Sequence, residues 1–147
     1  MARVEKSVLI ARSAEQMFKL VDDVESYPQF LPWCSRTSVA LRDETKTVAT
    51  LYIHYLSVES HFTTENIKEF PFSMRIRLLD GPFRRLEGHW LFKPLADKAC
   101  KVEFELSYEF SSKLFEKVIG PVFSRIADTF VEAFVRRADD VYGVPNA

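Results

Sequence analysis

Glycine is scarce in this chain: there are 4 in 147 residues, well below the ~7% of average usage. Cysteine is scarcer still, and Cys34 and Cys100 stand far apart with no further Cys or His at ligand spacing. That pattern excludes a disulfide scaffold and offers no zinc signature. Long apolar runs are also missing, because charges interrupt every stretch before the ~18 residues that a spanning helix needs. The opening Met1-Ala2-Arg3-Val4-Glu5-Lys6 lacks the apolar core and cleavage site of a secretory leader, so the expected address is cytoplasmic. Neither sign of charge dominates, with 20 Lys+Arg against 21 Asp+Glu and a net charge of -1. Together with abundant Leu, Ile, Val and Phe, this argues against disorder and against a nucleic-acid tail. What is plentiful is the aromatic ring. Aromatics make up 14% of the chain, and Phe alone supplies 13 residues. So many rings either fill a dense core or wall a cavity, and composition admits both.

Periodicity supplies the organisation. Val4, Val8 and Ile10 alternate with Glu5, Ser7 and Leu9, and Lys6 breaks the apolar row, which suits an edge strand. Ser13-Ala14-Glu15-Gln16 is a capping box, and behind it Met17, Phe18, Val21 and Val24 recur at helical spacing until Glu25-Ser26. Next, Tyr27-Pro28-Gln29-Phe30-Leu31-Pro32-Trp33-Cys34 sets two prolines among large apolar residues. Pro28 suits the first position of a short helix that Pro32 then stops. Strands are expected over Cys34–Leu41, Thr45–Leu56 and Val58–Phe70, with a tight joint near Ser57. Another follows in which Met74, Ile76 and Leu78 oppose Arg75 and Arg77, up to the turn Asp80-Gly81-Pro82. Leu86, Gly88, Trp90 and Phe92 share the next face, and the chain turns at Pro94–Lys98. The clearest alternation then sets Val102, Phe104, Leu106, Tyr108 and Phe110 against Lys101, Glu103, Glu105, Ser107 and Glu109. One face of this sheet is therefore covered and the other wet.

The cover lies at the C-terminus. Phe115, Ile119, Phe123, Ile126, Ala127, Phe130, Phe134, Ala138 and Val141 repeat at helical spacing up to Gly143, a C-cap glycine followed by Pro145. Gly120-Pro121 is read as interrupting the start of this helix, and the stretch from Pro121 to Tyr142 spans about 33 Å. The expected fold is α+β, a single domain over residues 1–147. A curved six- to seven-stranded antiparallel sheet wraps a long C-terminal helix, with one or two short helices after the first strand.

This order resembles the START-like helix-grip fold of the polyketide cyclase/dehydrase and lipid-transport superfamily. Tyr27-Pro28-Gln29-Phe30-Leu31-Pro32-Trp33-Cys34 is similar to the Y-P-x-F-[LV]-P-x-C signature of the coenzyme Q-binding proteins and their bacterial relatives, the RatA ribosome-association toxins. The run Leu79-Asp80-Gly81-Pro82-Phe83-Arg84-Arg85-Leu86 through Trp90-Leu91-Phe92 is similar to that family's G-P-F-x-x-L-x-x-x-W-x-F block, and the ending from Val102 to Ala138 is similar too. The resemblance implies a non-catalytic binder of a hydrophobic molecule. Ubiquinone would be a bound ligand and not a catalytic cofactor, and the role would be support of respiratory electron transfer. Strand parity then places Leu51, Ile53, Met74, Ile76, Trp90, Phe104, Leu106 and Tyr108 along the sheet wall. Phe123, Phe130 and Phe134 form the helix wall, and Tyr27, Phe30 and Trp33 stand at a mouth stiffened by Pro28 and Pro32. The same alternation is more often the mark of a filled core, and the competing reading of the proline segment is a stiff connection that packs the short helices onto the sheet.

His54, His61 and His89 lie on strands with no Ser, Cys or Asp at motif spacing, and no phosphate-binding glycine loop is present. An aromatase/cyclase would use an apolar cavity with donors such as Tyr52, Tyr55, Tyr108 or Arg75, which nothing in the spacing requires. The RatA resemblance implies another partner, the large ribosomal subunit, whose joining to the small one would be blocked. Arg75, Arg77, Arg84 and Arg85 would be the contact patch. The pI of ≈ 6.3 speaks against a dedicated RNA domain and against DNA. No polybasic or lipidation motif is present, so any membrane contact is expected to be peripheral and transient, at the inner face.

Overall fold

The computed structural model describes residues 1–143. The chain runs β1 (Ala2–Ile10), α1 (Ala14–Asp22), a 3₁₀ helix (Val24–Gln29), β2 (Cys34–Arg42), β3 (Lys46–Tyr55) and β4 (Val58–Glu69). It continues through β5 (Ser73–Asp80), β6 (Phe83–Ala96), β7 (Ala99–Phe110) and α2 (Lys113–Tyr142). All seven strands join one antiparallel sheet in the order β1-β7-β6-β5-β4-β3-β2. Its concave face is covered by α2, which gives the helix-grip architecture, with β1 and β2 at the two edges.

Local chemistry explains most of the boundaries. Ser13 and Gln16 close the capping box at 3.1 and 2.9 Å, which starts α1. Asp43 Oδ1 accepts from the amides of Thr45 and Lys46, both at 2.8 Å, and so forms the β2–β3 turn. Leu56 and Ser57 both take positive φ, 49° and 70°, the geometry of a two-residue hairpin. At Gly81, φ is 144° and a Cβ would lie 2.8 Å from that of Phe62, so the β5–β6 turn needs glycine. The far end of α2 is tied to α1. The buried Arg12 guanidinium pairs with Asp139 at 3.0 Å and donates to the Gly143 carbonyl, and the Tyr142 hydroxyl donates to the Gln16 carbonyl at 3.1 Å.

Four expectations are corrected. First, α2 is unbroken through Gly120-Pro121, because the glycine lacks the Cβ that proline would crowd. Lys117 and Pro121 are both exposed, so the carbonyl that loses its donor faces solvent. Second, Pro28 sits near the end of the 3₁₀ helix, not at its start. That helix opens directly from the end of α1 and needs no proline to nucleate it. Third, Pro94 lies inside β6, beside the register shift between Pro94 and Ala96, where a missing N–H is tolerated. Fourth, Phe115 and Val141 continue the apolar stripe of α2 but are exposed, since the helix outruns the sheet at both ends. Gly143 caps α2; Pro145 lies outside the described residues.

Candidate functional site

The sheet and α2 separate around an apolar cavity of about 70 Å³. Its sheet wall is built by Ala49 and Leu51 of β3, Phe62 of β4, Met74 and Ile76 of β5, Leu86 and Trp90 of β6, and Phe104 and Leu106 of β7. Phe123, Ile126, Ala127 and Phe130 face them from α2, and Val21, Val24, Tyr27 and Trp33 close one end. The rings hold one another: the Trp90 centroid lies 4.6 Å from Phe104 and 5.7 Å from Phe130, and Phe104 lies 5.5 Å from Phe130. Drug-sized molecules occupy sites of ~300–1,000 Å³. A ring with a tail therefore enters only as α2 and the sheet move apart.

The structure thus brings Tyr27, Trp33, Leu51, Met74, Ile76, Trp90, Phe104, Leu106, Phe123 and Phe130 around one cavity. Ile53, Tyr108, Phe134 and Phe30 are placed elsewhere. Ile53 is buried further along β3, opposite Cys34. Tyr108 belongs to a second ring cluster, with Phe123 at 4.8 Å and Phe110 at 5.8 Å, and burial raises its hydroxyl pKa. Phe134 fills the core, edge-on to Trp90 at 5.4 Å and to Tyr27 at 5.3 Å. Phe30 packs half-buried on Phe134 at 5.1 Å, with the Arg137 guanidinium above it.

The aromatic mouth is a correction. Tyr27 and Trp33 are only 4% and 5% exposed, because Pro28 and Pro32 point outward and turn the rings toward the core. The Tyr27 hydroxyl donates to the Val21 carbonyl, and burial pushes its pKa well above the ordinary tyrosine range. The proline segment is therefore a stiff connection that plugs one end of the cavity.

Sequence reasoning passed over the polar residues of the wall. Thr64 and Asn66 line the cavity from β4, and the Thr64 hydroxyl donates to Asn66 Oδ1 at 3.1 Å. Further along the same strand face, Lys68 is buried against Asp22 at 3.1 Å, and the Thr47 hydroxyl donates to the other Asp22 oxygen at 2.9 Å. The signal was present in the parity: with Phe62 inward, Thr64, Asn66 and Lys68 must be inward too.

The convex face carries the remaining candidates. Arg75, Arg77, Arg84 and Arg85 are all exposed, but Arg77 meets Glu65 at 3.1 Å and Arg84 meets Glu109 at 3.6 Å. Arg75 and Arg77 line a shallow groove shared with Glu87, His89 and Glu105, so the patch is mixed in sign. His54 and His89 face Glu59 and Glu105 at 3.7 and 3.6 Å, and Tyr52 lies 3.8 Å beneath the Arg36 guanidinium. Among the described residues no group of three or more His, Cys, Asp or Glu is arranged to hold a metal. Nor is any helix among them long and apolar enough to cross a membrane.

Comparison with known proteins adds to this geometry. The family described as polyketide cyclase / dehydrase and lipid transport matches residues 10–135. The ribosome association toxin RatA of Vibrio cholerae is 45% identical over 143 residues, covering 97% of this chain and 99% of the relative. RatA of Escherichia coli is 40% identical over 97% of this chain and 90% of its own. A coenzyme Q-binding protein of Xenopus laevis, COQ10 homolog B, is 32% identical over 94% of this chain and 58% of its own. Among solved structures, the ZhuI aromatase/cyclase of a Streptomyces species shares the fold, with a TM-score of 0.77 over 94% and 93% of the two chains at 14% identity. An 18 kDa protein of Caulobacter crescentus gives 0.73 over 98% and 100% at 28% identity. The chain belongs to the polyketide cyclase/dehydrase and lipid transport family, and its curated relatives include RatA proteins and a coenzyme Q-binding protein.

Proposed function

We propose that the protein binds a hydrophobic ring-and-tail molecule, ubiquinone or a related prenyl quinone, between its sheet and α2, without catalysing a reaction on it, in support of respiratory electron transfer. The observation that carries this reading is the cavity itself. Its wall is made of rings and aliphatic side chains, with Thr64 and Asn66 as its polar members and no His, Cys, Lys or carboxylate. A molecule admitted there by parting of α2 from the sheet meets aromatic rings, which lose little side-chain entropy in ordering around it, and meets no group suited to acid–base work at neutral pH. The 32% identity to a protein named as coenzyme Q-binding points the same way. The test is to purify the protein without stripping and extract it with organic solvent. A prenyl quinone in the extract, and a rise in Tm when ubiquinone is added, are expected. A clean extract together with an unmoved Tm overturns the reading.

A second reading is association with the large ribosomal subunit, favoured by the 45% and 40% identity to chains named ribosome association toxin. Its surface would be the exposed Arg75 and Arg85, with Arg77 and Arg84 released from their glutamates. Sedimentation of a lysate after overexpression tests it. Protein in the 50S fraction with fewer 70S particles supports this reading; unchanged proportions and no co-sedimentation remove it.

A further inference from the structure

β4 is built against the usual rule. On a strand with one dry face, apolar residues point inward and polar ones outward, yet here Ile67 is exposed on the convex side while Thr64, Asn66 and Lys68 are buried on the concave side. A one-residue slip would exchange the two sets; the pairing of β4 with β3 is continuous and does not make it, and the register shift against β5 between Thr63 and Thr64 leaves Thr64, Asn66 and Lys68 buried on the concave side. Departures from pattern that the fold maintains concentrate at functional positions.

Two of the three inward polar groups have a structural explanation. Lys68 is neutralised by Asp22, and Thr64 is satisfied by donating to Asn66 Oδ1. Asn66 is different: it is only 8% exposed, it lines the cavity, and its side-chain NH2 has no hydrogen-bond acceptor among the described residues. The NH2 is not sealed off, since among the described residues the fully buried side-chain atom without a partner is Arg12 Nε, so it keeps open space into which it can donate. In this arrangement the Thr64 hydroxyl donates to Oδ1, which leaves the NH2 as the end available to the cavity. Trp90, Phe104 and Phe130 bound the same space, so an acceptor placed on a planar ring would meet stacking surface and donor together.

We infer that Asn66, oriented by Thr64, is the specificity-determining residue of the cavity, donating a hydrogen bond to a carbonyl oxygen on the ligand's ring. The inference rests on the quinone-binding reading above and adds to it the atom that tells a ring carbonyl from plain hydrocarbon. A ligand without the carbonyl leaves the Asn66 NH2 unpaired, and sites built to pair a polar group discriminate against analogues that lack it.

The test compares two probes on the full chain: a short-tail ubiquinone, and the same prenyl tail on a benzene ring with neither carbonyls nor methoxy groups. Binding is read by equilibrium dialysis. The unmodified protein should prefer the quinone, and Asn66→Leu should weaken the quinone about tenfold, the loss of one buried hydrogen bond, while leaving the prenyl benzene within about twofold. Equal binding of the two probes by the unmodified protein, or parallel loss of both in Asn66→Leu, overturns the role of Asn66 and leaves the binding function standing. Binding of neither probe removes both. A second measurement needs no variant. The infrared carbonyl band of the bound quinone should lie below its position in hexane, and an unshifted band overturns the inference even if Asn66→Leu does not fold.

Discussion

Asp22, at the end of α1, shows how one residue can link four elements. It accepts from the Thr47 hydroxyl and the Lys68 ammonium and lies 3.8 Å from Arg42, which also pairs with Glu25. Lys68 is almost wholly buried, so Asp22→Ala strands an ammonium in the interior. We expect a loss of about 3–5 kcal/mol in urea unfolding, partly recovered in the double variant with Lys68→Leu. Cys34 presents a different residue-scale consequence: burial pushes its thiol up to about 11 from an ordinary 9.0. Below pH 9 the thiol is protonated whether the chain is folded or not, so its contribution is complete. Above pH 9 the unfolded chain releases the proton first, so stability falls as pH rises toward 11. Iodoacetamide at pH 8 should therefore modify the native protein far more slowly than the urea-unfolded one. Neither role was legible in the sequence, because Asp22 meets Lys68 only after β4 folds against α1.

Elements differ in how openly they declare themselves. β7 alternates through its whole length, with every even-numbered residue from Cys100 to Phe110 buried, and its inner face was readable residue by residue. β4 was readable as a strand but not as a site, since its inner row turns from Phe62 to Thr64, Asn66 and Lys68. Two glycines give a contrast that tests how the elements pack. At Gly88 a Cβ would lie 2.3 Å from the Glu105 carbonyl oxygen on the neighbouring strand, whereas at Gly120 the nearest atom is 3.7 Å away on Phe110. Gly88→Ala should force β6 and β7 apart and lower stability by about 3 kcal/mol or more. Gly120→Ala clears Phe110 but sets a Cβ against the Pro121 ring in helical geometry, a local strain that leaves the strands together, so it should lower stability by less than Gly88→Ala does. Thermal unfolding of the two variants separates the cases by size.

At the scale of the molecule, the balance between filled core and cavity is set by how α2 lies across the sheet. Its C-terminal end is fastened through Arg12 and Tyr142, and its middle rests on the rings of Phe123, Phe130 and Phe134. Phe104 of the sheet packs against Trp90 and against Phe130 of α2, and it also borders the cavity. Because one side already faces open space, Phe104→Ala should fall at the low end of the usual range, about 3 kcal/mol. It should also shrink the rise in Tm produced by a short-tail ubiquinone, since a wall of the site is removed. A full loss of stability with an unchanged ligand shift would mark Phe104 as core alone.

The sequence by itself determined the strand and helix order, the dry face of the sheet, the capping box of α1 and the ring-rich interior, because periodicity and local hydrogen bonding act over a few residues. Tertiary structure alone decided that Tyr27 and Trp33 turn inward, that α2 continues through Pro121, and that the interior keeps only about 70 Å³ open. These outcomes depend on distances between elements far apart in the chain, which no local pattern encodes. The abundance of phenylalanine against so little glycine thus resolves into a core that is mostly filled, around a small apolar space with one free amide donor.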